Sequence, residues 1–153
     1  MKVTVETERW EDAQPGIAAL CPRHWEEIAL NKATIPLEPD WGRYQQLADL
    51  QMLETTTARN EAGDIVGYLI YIVAPHLHYK SSTTAMSDVL FLAPEYRRGT
   101  LGLKLLSRAE DRLCERGVQR VIQNVKLHND WGAILERMGY APIERIYSKM
   151  LGH

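Results

Sequence analysis

The stretch that most restricts how this chain can fold runs from Val89 to Gly102. An apolar run, Val89-Leu90-Phe91-Leu92, meets the turn Ala93-Pro94-Glu95-Tyr96, and Arg97-Arg98-Gly99-Thr100-Leu101-Gly102 opens a long amphipathic segment. A strand that stops at a proline, passes through basic and small residues and becomes a helix leaves backbone N–H groups without intrahelical partners. They lie at the positive end of the helix dipole, and such an end binds anions. Gly99 and Gly102 let a bulky group approach the backbone, and Arg97 and Arg98 add fixed positive charge, which favours a phosphate over a carboxylate.

The spacing excludes two common nucleotide sites. There is no G-x-x-x-x-G-K-[ST], and no G-x-G-x-x-G with an acidic residue about twenty positions on, so an oxidoreductase using a dinucleotide is disfavoured. The stretch reads Leu90-x-Leu92-x-Pro94-x-Tyr96-Arg97, then Arg97-x-x-Thr100-x-Gly102. It resembles the signature of the GNAT superfamily of acyl-CoA-dependent N-acyltransferases, roughly Leu-x-Val-x-Pro-x-Tyr-Arg followed by [Arg/Gln]-x-x-Gly-x-[Gly/Ala]. Thr100 replaces the usual first glycine; it keeps its N–H and adds a hydroxyl. The resemblance extends in weaker form from about Gly67 to Lys149, and Tyr96–Glu110 is similar to small acetyltransferases encoded by bacteriophages.

Composition sets the outer limits. A chain of 153 residues reads as one domain, 1–153, able to bury roughly 70% of its unfolded surface. A net charge of −2 and a pI near 6.2 do not suggest a nucleic-acid or membrane-surface protein. Cys21 and Cys114 lie far apart without a C-x-x-C and read as free thiols of a reducing compartment. Neither a leader-like apolar segment nor a run of about 18 apolar residues occurs, so a soluble, cytoplasmic protein is expected, in the host cytoplasm if phage-encoded.

In chain order, Lys2–Thr7 alternates as a strand, and Pro15 would open a helix carrying Ile17, Leu20, Cys21, Trp25 and Ile28. Leu30–Asp40 interrupts it, and a second helix from Trp41 to about Leu50 has Asp40 as N-cap. Glu54–Arg59, Ile65–Val73 and Thr83–Leu92 read as strands, with a turn at Asn60–Asp64 and a loop holding His76, His78, Tyr79 and Lys80. Thr100–Arg116 is a helix with Leu101, Leu105, Ala109 and Leu113 on one face and Gly117 as its stop. Val118–Val125 is a strand, Trp131–Met138 a short helix and Ile143–Met150 a last strand. The pattern is α/β, and with the resemblance it implies a GNAT fold: a mixed central sheet of about six to seven strands flanked by helices.

The resemblance implies an N-acetyltransferase that moves an acetyl group from acetyl-CoA, as cosubstrate, to a primary amine by direct attack in a ternary complex. The backbone N–H groups from Arg98 through Gly99, Thr100, Leu101 and Gly102 to Leu103 would hold the pyrophosphate. Leu90, Phe91 and Leu92 would pair with the pantetheine amides like an added strand. Asp88 is the candidate base or water relay, since family members place one at positions equivalent to 86 or 88 on this strand and position 86 is Met. Alternation would put 86, 88, 90 and 92 on one face, among apolar neighbours that make a carboxylate more basic. Asp88 could instead anchor the amine as a counter-charge or serve the sheet. The family's usual acid, a Tyr five residues before the aromatic of a Gly-aromatic pair, is missing: the pair is Gly139-Tyr140 and the position holds Leu135. His128, Tyr147 and Tyr79 are substitutes, or the thiolate leaves unaided.

The helical pair after the first strand is where the family builds much of its acceptor site. Glu26 or Glu27 could meet a cationic amine, with a solvated helix face as the plainer reading. His78 and Tyr79 could contact substrate. His76 and His78 lack a Cys or carboxylate at telling spacing, so no metal is expected. The acceptor could be a small molecule, a protein lysine or an N-terminus, and two subunits could pair as a homodimer. A reading from another class is a catalytically weak GNAT-like module that binds CoA or a protein, motivated by Leu135 and Thr100.

Overall fold

In the computed structural model, which describes residues 2–152 and leaves Met1 and His153 outside it, the longest unbroken apolar run sits in the middle of the sheet. That run lies in β3, Ile65–His76. Its residues are buried on both faces: Leu69, Tyr71 and Val73 enter one core cluster, Tyr68 and Ile70 the other. A strand covered on both sides needs no polar alternation, which is why the sequence shows none. The other strands are β1 (Thr4–Thr7), β2 (Leu53–Arg59), β4 (Tyr79–Leu92) and β5 (Arg120–Ile122), in the order β1-β2-β3-β4-β5. Neighbours are antiparallel except β4 and β5, which are parallel. The connection between that parallel pair carries a helix, α3 (Leu101–Glu115).

α3 lays Leu105, Leu106, Ala109 and Leu113 into the first cluster, joined by Leu135 of α4 (Gly132–Arg137). It ends in a Schellman motif: Gly117 at φ 77° donates to the Cys114 carbonyl and Val118 to that of Leu113. α1 (Trp10–Ile28) and α2 (Trp41–Asp49) cover the opposite face, with Trp10, Ala13 and Ile17 buried against Leu53, Ile65 and Tyr68. The Asp40 side chain accepts from Arg43 N–H at 2.8 Å and caps α2 as expected. β3 and β4 approach closely at Gly67, where an added Cβ would stand 2.7 Å from Leu92 and 3.2 Å from the Phe91 carbonyl.

Five expectations are corrected. The sheet has five strands, not six to seven. The segment Ile143–Met150 forms no strand, because its apolar residues Ile143, Ile146, Tyr147 and Met150 do not alternate and all are exposed. Val118–Val125 contracts to Arg120–Ile122. α1 starts at Trp10 and runs through both Pro15 and Pro22. A proline inside a helix costs ~3 kcal/mol, and burial of Trp10, Ala13 and Ile17 offsets that by a similar amount. The expected loop at residues 76–80 is instead a tight turn at Leu77-His78, with His76 and Tyr79 paired across it.

Candidate functional site

The site begins where β4 ends. Ala93 donates to the Val66 carbonyl, and Tyr96 and Arg97 close a short 3-10 turn over Ala93 and Pro94. Gly99 then takes φ +90°, a left-handed conformation that reverses the chain into α3. From Arg98 through Leu103, no backbone N–H finds an acceptor among the described residues; the first intrachain bond is Lys104 N–H to the Thr100 carbonyl at 3.0 Å. Thr100 is the N-cap, yet its hydroxyl makes no capping bond. Nothing stands within 4 Å of a Cβ added at Gly99 or Gly102. Consecutive free donors, open space and the positive end of a helix dipole together form an anion cradle.

Arg98 is exposed and unpaired among the described residues. Arg97 is differently engaged. Its guanidinium grips Glu27 of α1 with two contacts of 2.7 Å, gives Nε–H to the Leu92 carbonyl at 2.7 Å, and lies 5.4 Å from the centre of the Phe91 ring. That hydrogen bond holds the Glu27 carboxyl below its usual value. Beside it Arg23 grips Glu95 at 2.9 and 2.6 Å, and the Glu95 carboxyl drops to about 2. The two pairs tie α1 to the turn that leads into the cradle.

β4 and β5 part company just upstream. They pair only from Thr84 to Met86; Asn124 then donates its N–H to the Ser87 hydroxyl at 2.9 Å and its side-chain amide to the Ser87 carbonyl at 3.1 Å. Beyond Ser87, β4 has a strand neighbour on one side only, β3. The other edge of Asp88–Leu92 is open to an extended ligand.

At the parting point the ladder slips. Val89 pairs with Ile70 and Ser87 with Tyr71, so Asp88 is the extra residue of a β-bulge. Strict alternation therefore fails here: Val89 and Phe91 pack on the α1–α2 side and Ala85 and Leu90 on the α3 side. The bulge turns Asp88 towards α2, where Tyr44 donates its hydroxyl to the carboxylate. Asp88 is exposed, not sunk among apolar neighbours as the alternation suggested.

Behind Asp88 lies a partly buried polar group. Burial, together with the Asp88 carboxylate holding the phenol proton, raises the Tyr44 pKa. Tyr68 is fully buried, and its pKa is pushed up by burial and by the adjacent Cys21 thiol. Its hydroxyl shares a hydrogen bond of 2.7 Å with His24 Nδ1. His24 stacks on Phe91 at 4.7 Å between ring centres, is 5 % exposed, and leaves Nε2 without a partner. Burial lowers its pKa from 6.5 to about 4, so the ring is neutral. Tyr44, Tyr68 and Cys21 also line a cavity of about 430 Å³ between α1, the connection to α2, and β3 and β4.

The structure gathers Asp88, Leu90–Leu92 and Arg98–Leu103 around one end of β4. It does not bring the remaining candidates there. His78 and Tyr79 lie at the far end of the β3–β4 hairpin, about 30 Å from Asp88 along the strand. Glu26 faces Lys32 at 3.3 Å on the outer side of α1. His128 reaches the Ile28 carbonyl at the end of α1, 3.0 Å from Nε2. Tyr147 is 86 % exposed on the segment without partners, and Leu135 is core. Sequence reasoning missed Tyr44, Tyr68 and His24. The aromatic content of residues 24–44 is the signal for His24 and Tyr44, and Tyr68 reads only as part of the apolar strand Ile65–Val73. Among the described residues no group of His, Cys, Asp or Glu is arranged to hold a metal, and no helix is long and apolar enough to cross a membrane.

An anion cradle at the start of α3 thus stands beside a strand with one open edge. Residues 20–140 match the model of the acetyltransferase (GNAT) family, and the chain belongs to that family: it is an acyltransferase with the GNAT fold. The family uses acetyl-CoA as cosubstrate. Similar solved structures include glucosamine-6-phosphate N-acetyltransferase from Arabidopsis thaliana, at 14% identity and TM-score 0.73, with 99% of each chain covered. Another is a ribosomal-protein-alanine N-acetyltransferase from Brucella melitensis biovar Abortus 2308, at 19% and 0.69, covering 99% of this chain and 100% of that one. A third is a predicted acetyltransferase with acetyl-CoA from Clostridium acetobutylicum, at 13% and 0.73, covering 98% and 97%. No curated protein sequence matches this chain.

Proposed function

We propose that residues 1–153 form a single N-acetyltransferase domain that transfers the acetyl group of acetyl-CoA to a primary amine by direct attack in a ternary complex. The observation that carries this reading is the run of unpartnered N–H groups from Arg98 to Leu103 at the open end of β4. The pyrophosphate sits on those donors with Arg98 beside it, and the pantetheine arm lies along Leu90–Leu92. This brings the thioester carbonyl next to the bulge at Asp88. Holding the two reactants there supplies much of the rate by itself.

The amine arrives as an ammonium and must lose a proton before it can attack. Asp88, fixed by the Tyr44 hydroxyl, accepts that proton directly or through a water. The nitrogen lone pair adds to the thioester carbonyl, the adduct's nitrogen gives its second proton to water, and the adduct collapses to the amide as the C–S bond breaks and CoA thiolate leaves. A thiol with a pKa near 8.5 is a fair leaving group, so neither His128, occupied with Ile28, nor Tyr147 is required as acid. Arg97 acts through structure, holding α1 against the cradle by way of Glu27.

Calorimetric titration of the protein with acetyl-CoA, CoA and NAD tests the reading, alongside an Arg98→Glu/Gly102→Glu double variant. Acetyl-CoA and CoA should bind, NAD should not, and the double variant should lose binding while keeping its fold. A folded chain that ignores acetyl-CoA would sink the assignment.

A further inference from the structure

The cavity between α1 and α2 has a composition that selects among amines. Four aromatic side chains, Trp25, Trp41, Tyr44 and Tyr68, form much of its wall, and the connection between the helices adds Ile35 and Leu37. No Lys, Arg or His lines it. The carboxylates on its lining are Glu38 and Asp40, and Asp40 is committed to capping α2. The inner wall reaches Val89 and Tyr44, the sequence neighbour and the hydrogen-bond donor of Asp88. Asp88 itself is not on the lining, but a ligand at the inner wall stands against its neighbour Val89 and its donor Tyr44, with indole, phenol and aliphatic surface around the rest of its body.

This surface suits one kind of acceptor. An ammonium is attracted by the carboxylates and by aromatic faces; Lys32 already holds its own ammonium 5.3 Å from the centre of the Trp25 ring. An apolar body gains from the walls, whereas each hydroxyl, and each ammonium beyond those that Asp88 and Glu38 can meet, loses water there without finding a partner. At about 430 Å³ the cavity accommodates a body of one or two rings.

We infer that the acceptor of this enzyme is a monoamine with an apolar, ring-bearing body, in preference to a polyamine or a polyhydroxylated amino sugar. The inference rests on the acetyl-transfer reading above and names the substrate class for it. Burying a phenyl ring in such a pocket favours it by roughly a hundredfold over a body that gains nothing there.

The test compares 2-phenylethylamine, spermidine and kanamycin as acceptors by thiol release, with calorimetric binding of 2-phenylethylamine to the CoA-loaded protein. Expected is a kcat/KM for 2-phenylethylamine at least about tenfold above both others. Ile35→Lys should raise its KM about tenfold and leave the KM of acetyl-CoA unchanged, because it places a cation on the rim. Ile35 is 51 % exposed, so this variant keeps its fold even if Trp25→Ala, its companion, does not. Preference for spermidine or kanamycin, or an Ile35→Lys variant with unaltered KM, overturns the pocket assignment and leaves acetyl transfer standing. Binding of 2-phenylethylamine that Ile35→Lys abolishes, without thiol release from any amine, sustains the pocket and overturns the transfer reading. Neither binding nor release overturns both.

Discussion

The two faces of the sheet are built from different materials. On the α3 side the packing is mainly aliphatic: Leu69, Val73, Leu105, Leu106 and Leu113 interlock, and the buried Tyr71 hydroxyl is satisfied by Gln123. On the α1–α2 side the packing is aromatic and carries polar atoms, with Trp10, Trp41 and Tyr44 in mutual ring contact and His24 between Tyr68 and Phe91. His24 Nε2 is buried there without a partner. An aliphatic interface is good for stability and poor for chemistry; a polar aromatic one is the reverse. The anion cradle belongs to the first face through α3, while Asp88 and the aromatic cavity belong to the second. The two meet at the bulge in β4, where the transfer proposed above would take place.

That division can be broken or sharpened by substitution. Asp88→Asn should cost the most activity, a fall in kcat of about 10²–10⁴ with acetyl-CoA affinity unchanged by calorimetry; equal loss of both would erase the distinction. Leu105→Ala should cost about 2–5 kcal/mol of stability in urea unfolding and leave the amine KM alone. His24 provides a pH signature. Its pKa is near 4 when folded against an ordinary 6.5, so the unfolded chain binds the proton first as pH falls. Stability should then drop by up to about 3 kcal/mol between pH 6.5 and 4, with no contribution to the slope above 6.5. His24→Gln should flatten that part of the profile. Tyr44→Phe removes one donor to a carboxylate and should lower kcat/KM for the amine about tenfold, with little change in the urea midpoint. The smallest effect is expected from Arg23→Gln, because its pair with Glu95 is solvent-exposed: a barely measurable shift of the urea midpoint at low salt, vanishing in high salt.

The same division decided what could be read from the sequence. The cradle is a backbone device, so a proline, two glycines and a basic pair within a few residues announced it, along with the strand before and the helix after. The C-terminal stop of α3 at Gly117 was equally local. The aromatic cavity is assembled from α1, the Leu30–Pro39 connection, α2 and two strands, and no local pattern tells which of its aromatic residues face one another. Asp88 was identifiable by type and position, but its surroundings were not: period-two extrapolation cannot register a single extra residue, and the bulge is what sends Asp88 to Tyr44. Leu135 stood out as a missing acid and proves to be core. Tyr147 lies away from the site because the apolar residues of 143–150 form no strand: their spacing favours no sheet face.

The bulge at Asp88 also bears on how such a chain can evolve. Deleting that one residue would remove the register shift at Ile70/Tyr71 from the ladder between β3 and β4. The product would be a more regular sheet that has lost the carboxylate held by Tyr44. In the transfer proposed above the proton-accepting carboxylate sits on a defect, so selection for heat resistance alone would tend to repair it, and a library screened only for melting temperature would enrich sheets without the bulge.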